Sequence, residues 1–299
     1  MMHVGAVLPS VDTQRRQRLS LTAAAIHAEN VGLNSVWHGD HLAIGAPSLD
    51  CAAALAAAAA VTTRVRIGAS VFIPAIRPLA WAAKQVASLQ YLTDGRLVLG
   101  IGVGEGAEQW AAAGVSYRDR GRRTDAALRS LPALLAGERV RLDLEPGQPE
   151  VQLAPSVAAP PMWVGNASAV AIRRAARWGD GWFPSLIRPD EVADGARRLT
   201  ELTEQYERPR PLIAIGATGI LGTESGLPDR RQIATRISRA YRRSVDDLLP
   251  VPIMGGPAQA AEQLRAYRDA GAHHVVMGFA DGDWRRQCEL LATTRAHLN

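Results

Sequence analysis

The stretch from Ile67 to Glu105 constrains this chain most. It reads in one pass as strand, proline-bracketed turn, amphipathic helix, second strand and glycine-spaced loop. Val65, Ile67, Val71 and Ile73 are apolar and β-branched, as a buried strand requires. Pro78 suits a first helical turn, and Leu79, Ala82, Val86, Leu89 and Leu92 then recur at helical spacing. Asp94-Gly95 stops that helix, and Leu97 to Ile101 forms the next strand. Two strands joined so compactly through a helix imply a parallel pair with a right-handed crossover. Their C-terminal ends, Ser70-Val71 and Gly102-Val103-Gly104-Glu105, fall where ligands bind in such folds.

The same alternation runs along the whole chain. His3 to Leu8, Ser35 to Trp37, Met162 to Val164, Gly181 to Phe183, Leu212 to Leu221 and His274 to Phe279 read as further strands. Helical patterns follow them at Leu19 to Val31, Arg123 to Leu135, Ser168 to Trp178, Asp190 to Tyr206, Pro257 to Gly271 and Trp284 to Leu298. Arg139 to Leu153, with Pro146-Gly147 at its middle, looks like an inserted hairpin. The stretch from Gly222 to Gly256 is less regular, with a helix expected near Arg231 to Arg243. Eight strands each followed by helix predict an α/β fold of the (β/α)8 TIM-barrel type with insertions. With no linker-like segment and 47% hydrophobic residues in 299, one domain over residues 1–299 is expected.

Composition narrows the function classes. No apolar run of about 18 residues avoids charge, so no membrane span is expected, and the absence of a leader pattern leads us to expect a cytoplasmic protein. Cys51 and Cys288 fit small buried hydrophobes. The net charge of +5 is almost all arginine, since Lys84 is the only lysine, and no nucleic-acid module accompanies it. Lys84 lies mid-helix, which argues against a Schiff-base aldolase, and the seven histidines form no usual metal-ligand pattern. No metal is therefore expected, and no Gly-x-Ser-x-Gly elbow appears. What remains is a barrel mouth rich in glycine, suited to a bulky bound cofactor.

Three constellations mark that mouth. His38-Gly39-Asp40-His41 follows the second strand, where a His and an Asp can exchange protons with a ligand; equally, Asp40 can cap the loop and His41 can pack. Ser70-Val71 with Gly102-Val103-Gly104-Glu105 would let backbone approach a flat ring system, with Glu105 as an acid/base group or a helix cap. Gly165-Asn166-Ala167-Ser168 leads into a helix whose free amides suit phosphate, although ordinary capping by Asn166 or Ser168 explains the pattern too. Phosphate sites in barrels usually follow strands seven and eight, whereas this motif follows strand five.

Together, in this order, the stretches VWHGDHL, IGASVFIPAIRPLAWAAKQVASLQYLTDGRLVLGIGVGEG, PPMWVGNASAVAIRRAARWGDGWF and GGPAQAAEQLRAYRDAGAHHVVMGF resemble the bacterial luciferase-like superfamily of flavin- and deazaflavin-dependent oxidoreductases. The resemblance implies a (β/α)8 barrel with inserts that binds a tricyclic cofactor at its C-terminal mouth. It implies phosphate at the helix after strand five, hence at Gly165, Asn166, Ala167 and Ser168. It also implies a non-prolyl cis peptide at Ser70-Val71 behind the central ring, flanked by Gly102, Val103 and Gly104. Asp40 and His41 match positions that contact the ring or reacting substrate, and Glu105 a carboxylate near ring or phosphate.

Two cofactors imply two chemistries. Reduced FMN passes electrons to oxygen and supports monooxygenation, with a separate reductase as partner; a deazaflavin transfers hydride alone. The Gly102 to Gly106 loop and the Asp40-His41 pair look closer to the branch that uses coenzyme F420, and an arginine-rich surface suits that coenzyme's acidic tail. The expected function is hydride transfer between F420 and a small organic substrate, with His41 or Glu105 completing proton transfer. FMN monooxygenation and a non-catalytic flavin carrier are the alternatives. Relatives imply a homodimer.

Overall fold

The computed structural model describes residues 2–298. Eight parallel strands close on themselves: β1 (His3–Val7), β2 (Ser35–His38), β3 (Arg66–Phe72), β4 (Leu97–Ile101), β5 (Met162–Gly165), β6 (Gly181–Phe183), β7 (Leu212–Leu221) and β8 (His274–Phe279). Each pairs with its neighbour in sequence, β8 lies between β7 and β1, and a β6–β7 pairing completes the cylinder. The chain is a (β/α)8 barrel with insertions, as the alternation of patterns predicts.

Two cores hold it together. Outside the sheet, helical faces such as Leu79, Ala82, Val86 and Leu89 bury against strand residues such as Ile67, Leu97 and Leu99. Leu92 departs from the expected face and is exposed, because its helix ends there with Thr93 as cap. Inside, the lumen is filled by Trp37, Trp163 and Phe183, with ring centroids 5.3–5.7 Å apart. Rings of this size fit only because strand glycines face them: a Cβ on Gly68 would collide with the Trp37 indole, and one on Gly181 with that of Trp163. At the lower end Trp37 donates through Nε1 to Ser35 Oγ (2.7 Å), which pairs with His274 Nε2 (2.8 Å). Burial pushes the His274 pKa down to about 3, so its ring is neutral.

Caps set most helix starts: Ser20, Asp50, Ser168 and Asp229 each accept a hydrogen bond from a backbone N–H of the first turn. One helix, Val11–Gln17, was not expected. The hairpin is present as the antiparallel pair Val140–Arg141 and Glu150–Val151. Its turn residue Glu145 accepts from the Leu79 N–H (3.0 Å) and pairs with Arg123 (3.1 Å), which anchors it to the barrel. The stretch after β7 is more ordered than its sequence suggests. It contains the helix Arg230–Tyr241, a short helix Val245–Leu248 and a strand Ile253–Gly255 that pairs in parallel with the end of β7. Ile233, Ala234, Ile237, Leu248 and Val251 form a separate small core with Leu186 and Ile220. Among the described residues no helix is long and apolar enough to cross a membrane. Cys51 and Cys288 are buried and unpaired.

Candidate active site

The strand ends set the site. In β3 the register against β4 shifts between Ala69 and Phe72, and the Ser70–Val71 peptide within that shift is cis. Val71 is then aimed across the mouth at the ends of β4 and β5. A Cβ added to Gly102 would collide with Val71 Cγ2, one on Gly165 would lie 3.0 Å from Cγ1, and one on Gly100 3.2 Å from Cγ1. The glycines of β4 and β5 therefore exist to admit the Val71 side chain, and they leave bare backbone around it. The His41 ring folds over Gly39: a Cβ there would sit 2.9 Å from Nε2 and 3.6 Å from the Ser70 carbonyl oxygen. Thus Ser70, Val71, Gly102, Gly165 and His41 come together at one point of the rim.

The other candidates take graded positions. Gly104, with positive φ, packs on Ile73 and beside the Trp110 indole N–H, which is buried with no partner among the described residues. Val103 is half-buried between them in sequence. Asn166 is left-handed at φ 86; its carbonyl accepts from Trp182 Nε1 (2.9 Å) and its Oδ1 from the Ser168 N–H (2.8 Å). Ser168 Oγ accepts from the Ala171 N–H at 3.3 Å. Both caps foreseen as ordinary are therefore real, yet they leave the N–H groups of Ala169 and Val170 without an acceptor among the described residues at the exposed start of a ten-residue helix. Ala167 is half-buried and packs on the outer core.

Asp40 is buried and both its oxygens are engaged. It accepts from the Ile73 N–H (2.9 Å) and holds Arg77 Nη2 at 2.8 and 2.6 Å, while the Arg77 guanidinium lies 4.6 Å from the Phe72 ring centroid. Its carboxylate thus ties the exit of β2 to the exit of β3. His41 is solvent-exposed on one side, but its protein surroundings still push its pKa below the ordinary value of 6.5, the Asp40 charge opposing. His38 is lowered for the same reason; its Nδ1 pairs with the Gly39 carbonyl at 2.7 Å. Glu105 stands exposed at the outer rim, and its carbonyl accepts from the Gln109 amide. Gln109 Oε1 in turn accepts from the Leu42 N–H (3.3 Å), joining the loops after β2 and β4.

Sequence reading missed Arg77, Gln109 and Tyr241. Arg77 sits between prolines and reads as turn, although an arginine five residues beyond a buried strand is itself a signal for a carboxylate partner. Tyr241 ends an arginine-rich helix with no visible tie to the mouth; it is 53% exposed, yet the protein around its ring, then the Glu105 charge, raises its phenol. Among the described residues no His, Cys, Asp and Glu side chains gather as a metal site.

Comparison with known proteins decides the family, because the model of the luciferase-like monooxygenases matches residues 2–247. The chain belongs to the luciferase-like family. An uncharacterized protein of Mycobacterium tuberculosis is 34% identical over 169 residues, a match that spans 56% of this chain and only 58% of that protein. An F420-dependent glucose-6-phosphate dehydrogenase of Gordonia bronchialis is 27% identical over 306 residues, covering 90% of each. Among solved structures, an F420-dependent secondary alcohol dehydrogenase, in complex with an F420–acetone adduct, superimposes with a TM-score of 0.81 at 17% identity, over 100% of this chain and 99% of that one. The family match ends at residue 247, and β8 with its flanking helices completes the luciferase-like barrel beyond that point.

Proposed function

We propose that the protein is an F420-dependent oxidoreductase that passes hydride between the deazaflavin and a small organic substrate. One observation carries this reading: Val71 projects from a displaced strand end into a cradle of bare glycine backbone, a surface that fits the flat face of a tricyclic ring. Cβ atoms at Gly102 and Gly104 would run into Val71 and Ile73, so these glycines let both side chains pack close and leave their own stretch of main chain uncovered. The exposed N–H groups of Ala169 and Val170 suit the cofactor phosphate, near enough to Gly165 for one ligand to span both. The relatives whose names include F420 support the choice of cofactor.

When bound, F420 supplies a carbon centre that gives or takes hydride and does not activate oxygen usefully. The protein's own part is then binding and proton movement. Asp40 and Arg77 fix the loop that presents Ser70-Val71. His41, neutral at pH 7 by its lowered pKa, is the group at the rim able to take a proton from a substrate hydroxyl or return it. Glu105 and Tyr241 bracket the outer mouth, with the helix Arg230–Tyr241 as a cover over bound substrate. The family's monooxygenase description favours FMN as the second reading, with a reductase as partner. Titrating purified protein with F420 and with FMN, followed by absorbance, distinguishes them: saturable F420 binding and no oxidase activity is expected. Tight FMN binding with oxygen consumption would overturn the choice, and binding with no turnover of any hydride donor would leave a carrier.

Two further readings belong here. The unpaired buried thiols suit a cytoplasmic setting. Trp81, Tyr91 and Leu92 are exposed on the helix Leu79–Leu92, an apolar face suited to a second copy in a homodimer.

A further inference from the structure

The barrel has a second concavity at its other end. A cavity of about 490 Å³ opens at the N-terminal face, within the range of about 300–1,000 Å³ that small-molecule sites occupy. It lies where β1, β3, β7 and β8 begin, at His3, Arg66, Leu212 and His274, far along the strands from Val71 and the glycine cradle. Aromatic rings stand at its inner end. Trp163 and His274 meet edge to face with centroids 5.3 Å apart, and His3 stacks on His274 at 5.8 Å and 25°.

The polar inventory of this cavity is unbalanced. Arg66 makes no ion pair and no side-chain hydrogen bond among the described residues, although it stands at the opening. Arg64 is exposed beside it with only the field of Glu29 as a partner. Glu29 is the one carboxylate in the lining, and its oxygens are taken by the N–H groups of Thr63, Arg64 and Val65 at 2.6–3.2 Å. His274 is 4% exposed, and its Nε2 pairs with Ser35 Oγ at 2.8 Å, which leaves Nδ1 as the other ring nitrogen. Nδ1 has no protein partner among the described residues, and the ring lines the cavity. Two arginines, an unpartnered imidazole nitrogen and the stacked His3 and His274 rings ask for a ligand that is anionic at one end and planar at the other.

We infer that the N-terminal face of the barrel is a second binding site, for a small aromatic carboxylate. The carboxylate lies between Arg66 and Arg64, and the ring slides inward against His3, His274 and Trp163. Such a pair of arginines gives charge and directed donors to a carboxylate at a site where most of the ring is removed from water. The site is independent of the cofactor reading, since it shares no residue with the mouth.

Calorimetric titration with 2-naphthoate tests it on the full chain, with imidazole NMR signals as a second readout. Saturable binding is expected, with perturbation of the His3 and His274 resonances, and Arg66→Glu should weaken it at least tenfold while Arg66→Lys weakens it less. The uncharged 2-naphthalenemethanol should bind at least tenfold more weakly than the acid. Arg66 is an exposed first residue of its strand, so the variants are expected to melt as the parent does, which circular dichroism checks. No saturable binding of the acid by the parent protein, or equal binding by Arg66→Glu, overturns the site. So does binding that leaves both histidine signals unmoved, because the ligand then sits elsewhere.

Discussion

On the proposed reading His41 is the side chain on which turnover depends most, because its ring shares the space over Gly39 with the Ser70 carbonyl oxygen. His41→Ala should lower turnover by on the order of 100-fold, the usual scale for a general acid–base group, with only modest loss of cofactor affinity. Steady-state rates and cofactor titration measure the two effects separately, and unchanged turnover would remove His41 from the mechanism. Because burial lowers its pKa, the acid limb of the rate profile should fall below the ordinary 6.5. Ser168→Asp places a carboxylate beside the free N–H groups of Ala169 and Val170, and like-charge repulsion should weaken phosphate-bearing cofactor about tenfold or more. Equal affinity would put the phosphate elsewhere. Much of this rim was legible in sequence, since glycines and a His-Asp pair at strand ends announce themselves. The engagement of Asp40 by Arg77 was not, because the partner lies 37 positions away and only the fold brings them together.

Elements were legible in proportion to how strongly burial writes a period into them. The barrel strands read correctly because parallel strands covered on both faces are nearly continuous apolar runs, as in Leu97–Ile101. Val11–Gln17 has no buried residue and so left no period to find. The insert after β7 was read as irregular because its helix Arg230–Tyr241 carries apolar residues at only a few positions, and these meet Leu186 and Ile220 from distant segments. That small core makes a prediction at this scale. Ile233→Asp should open the insert to limited proteolysis while leaving the far-ultraviolet spectrum of the barrel nearly unchanged, since local stability resides in separate packing units. Cleavage no faster than in the parent would mean that the insert is held by other contacts. Tyr241→Phe, by contrast, keeps the packing and should alter the apparent substrate affinity more than the melting temperature.

For the molecule as a whole, the lumen sets stability. His274 is neutral in the folded barrel with a pKa of about 3, whereas the unfolded chain protonates it near 6.5. The unfolded state therefore binds more protons between those values, and stability falls as pH drops below 6.5 and is flat above it. By pH 5 this one group should cost about 2 kcal/mol, which urea unfolding at pH 5 and 7 would measure; His38 and His41 add in the same direction. Assembly offers a second global test: Trp81→Glu should convert a dimer to monomer in light scattering, and a parent protein that is already monomeric would remove that reading. The most direct test of the account is a crystal structure with F420 bound. The tricyclic ring is expected flat against Val71 and the backbone of Gly102 to Gly104, its phosphate on the N–H groups of Ala169 and Val170. A ring bound anywhere other than that rim, with Val71 untouched, would contradict it.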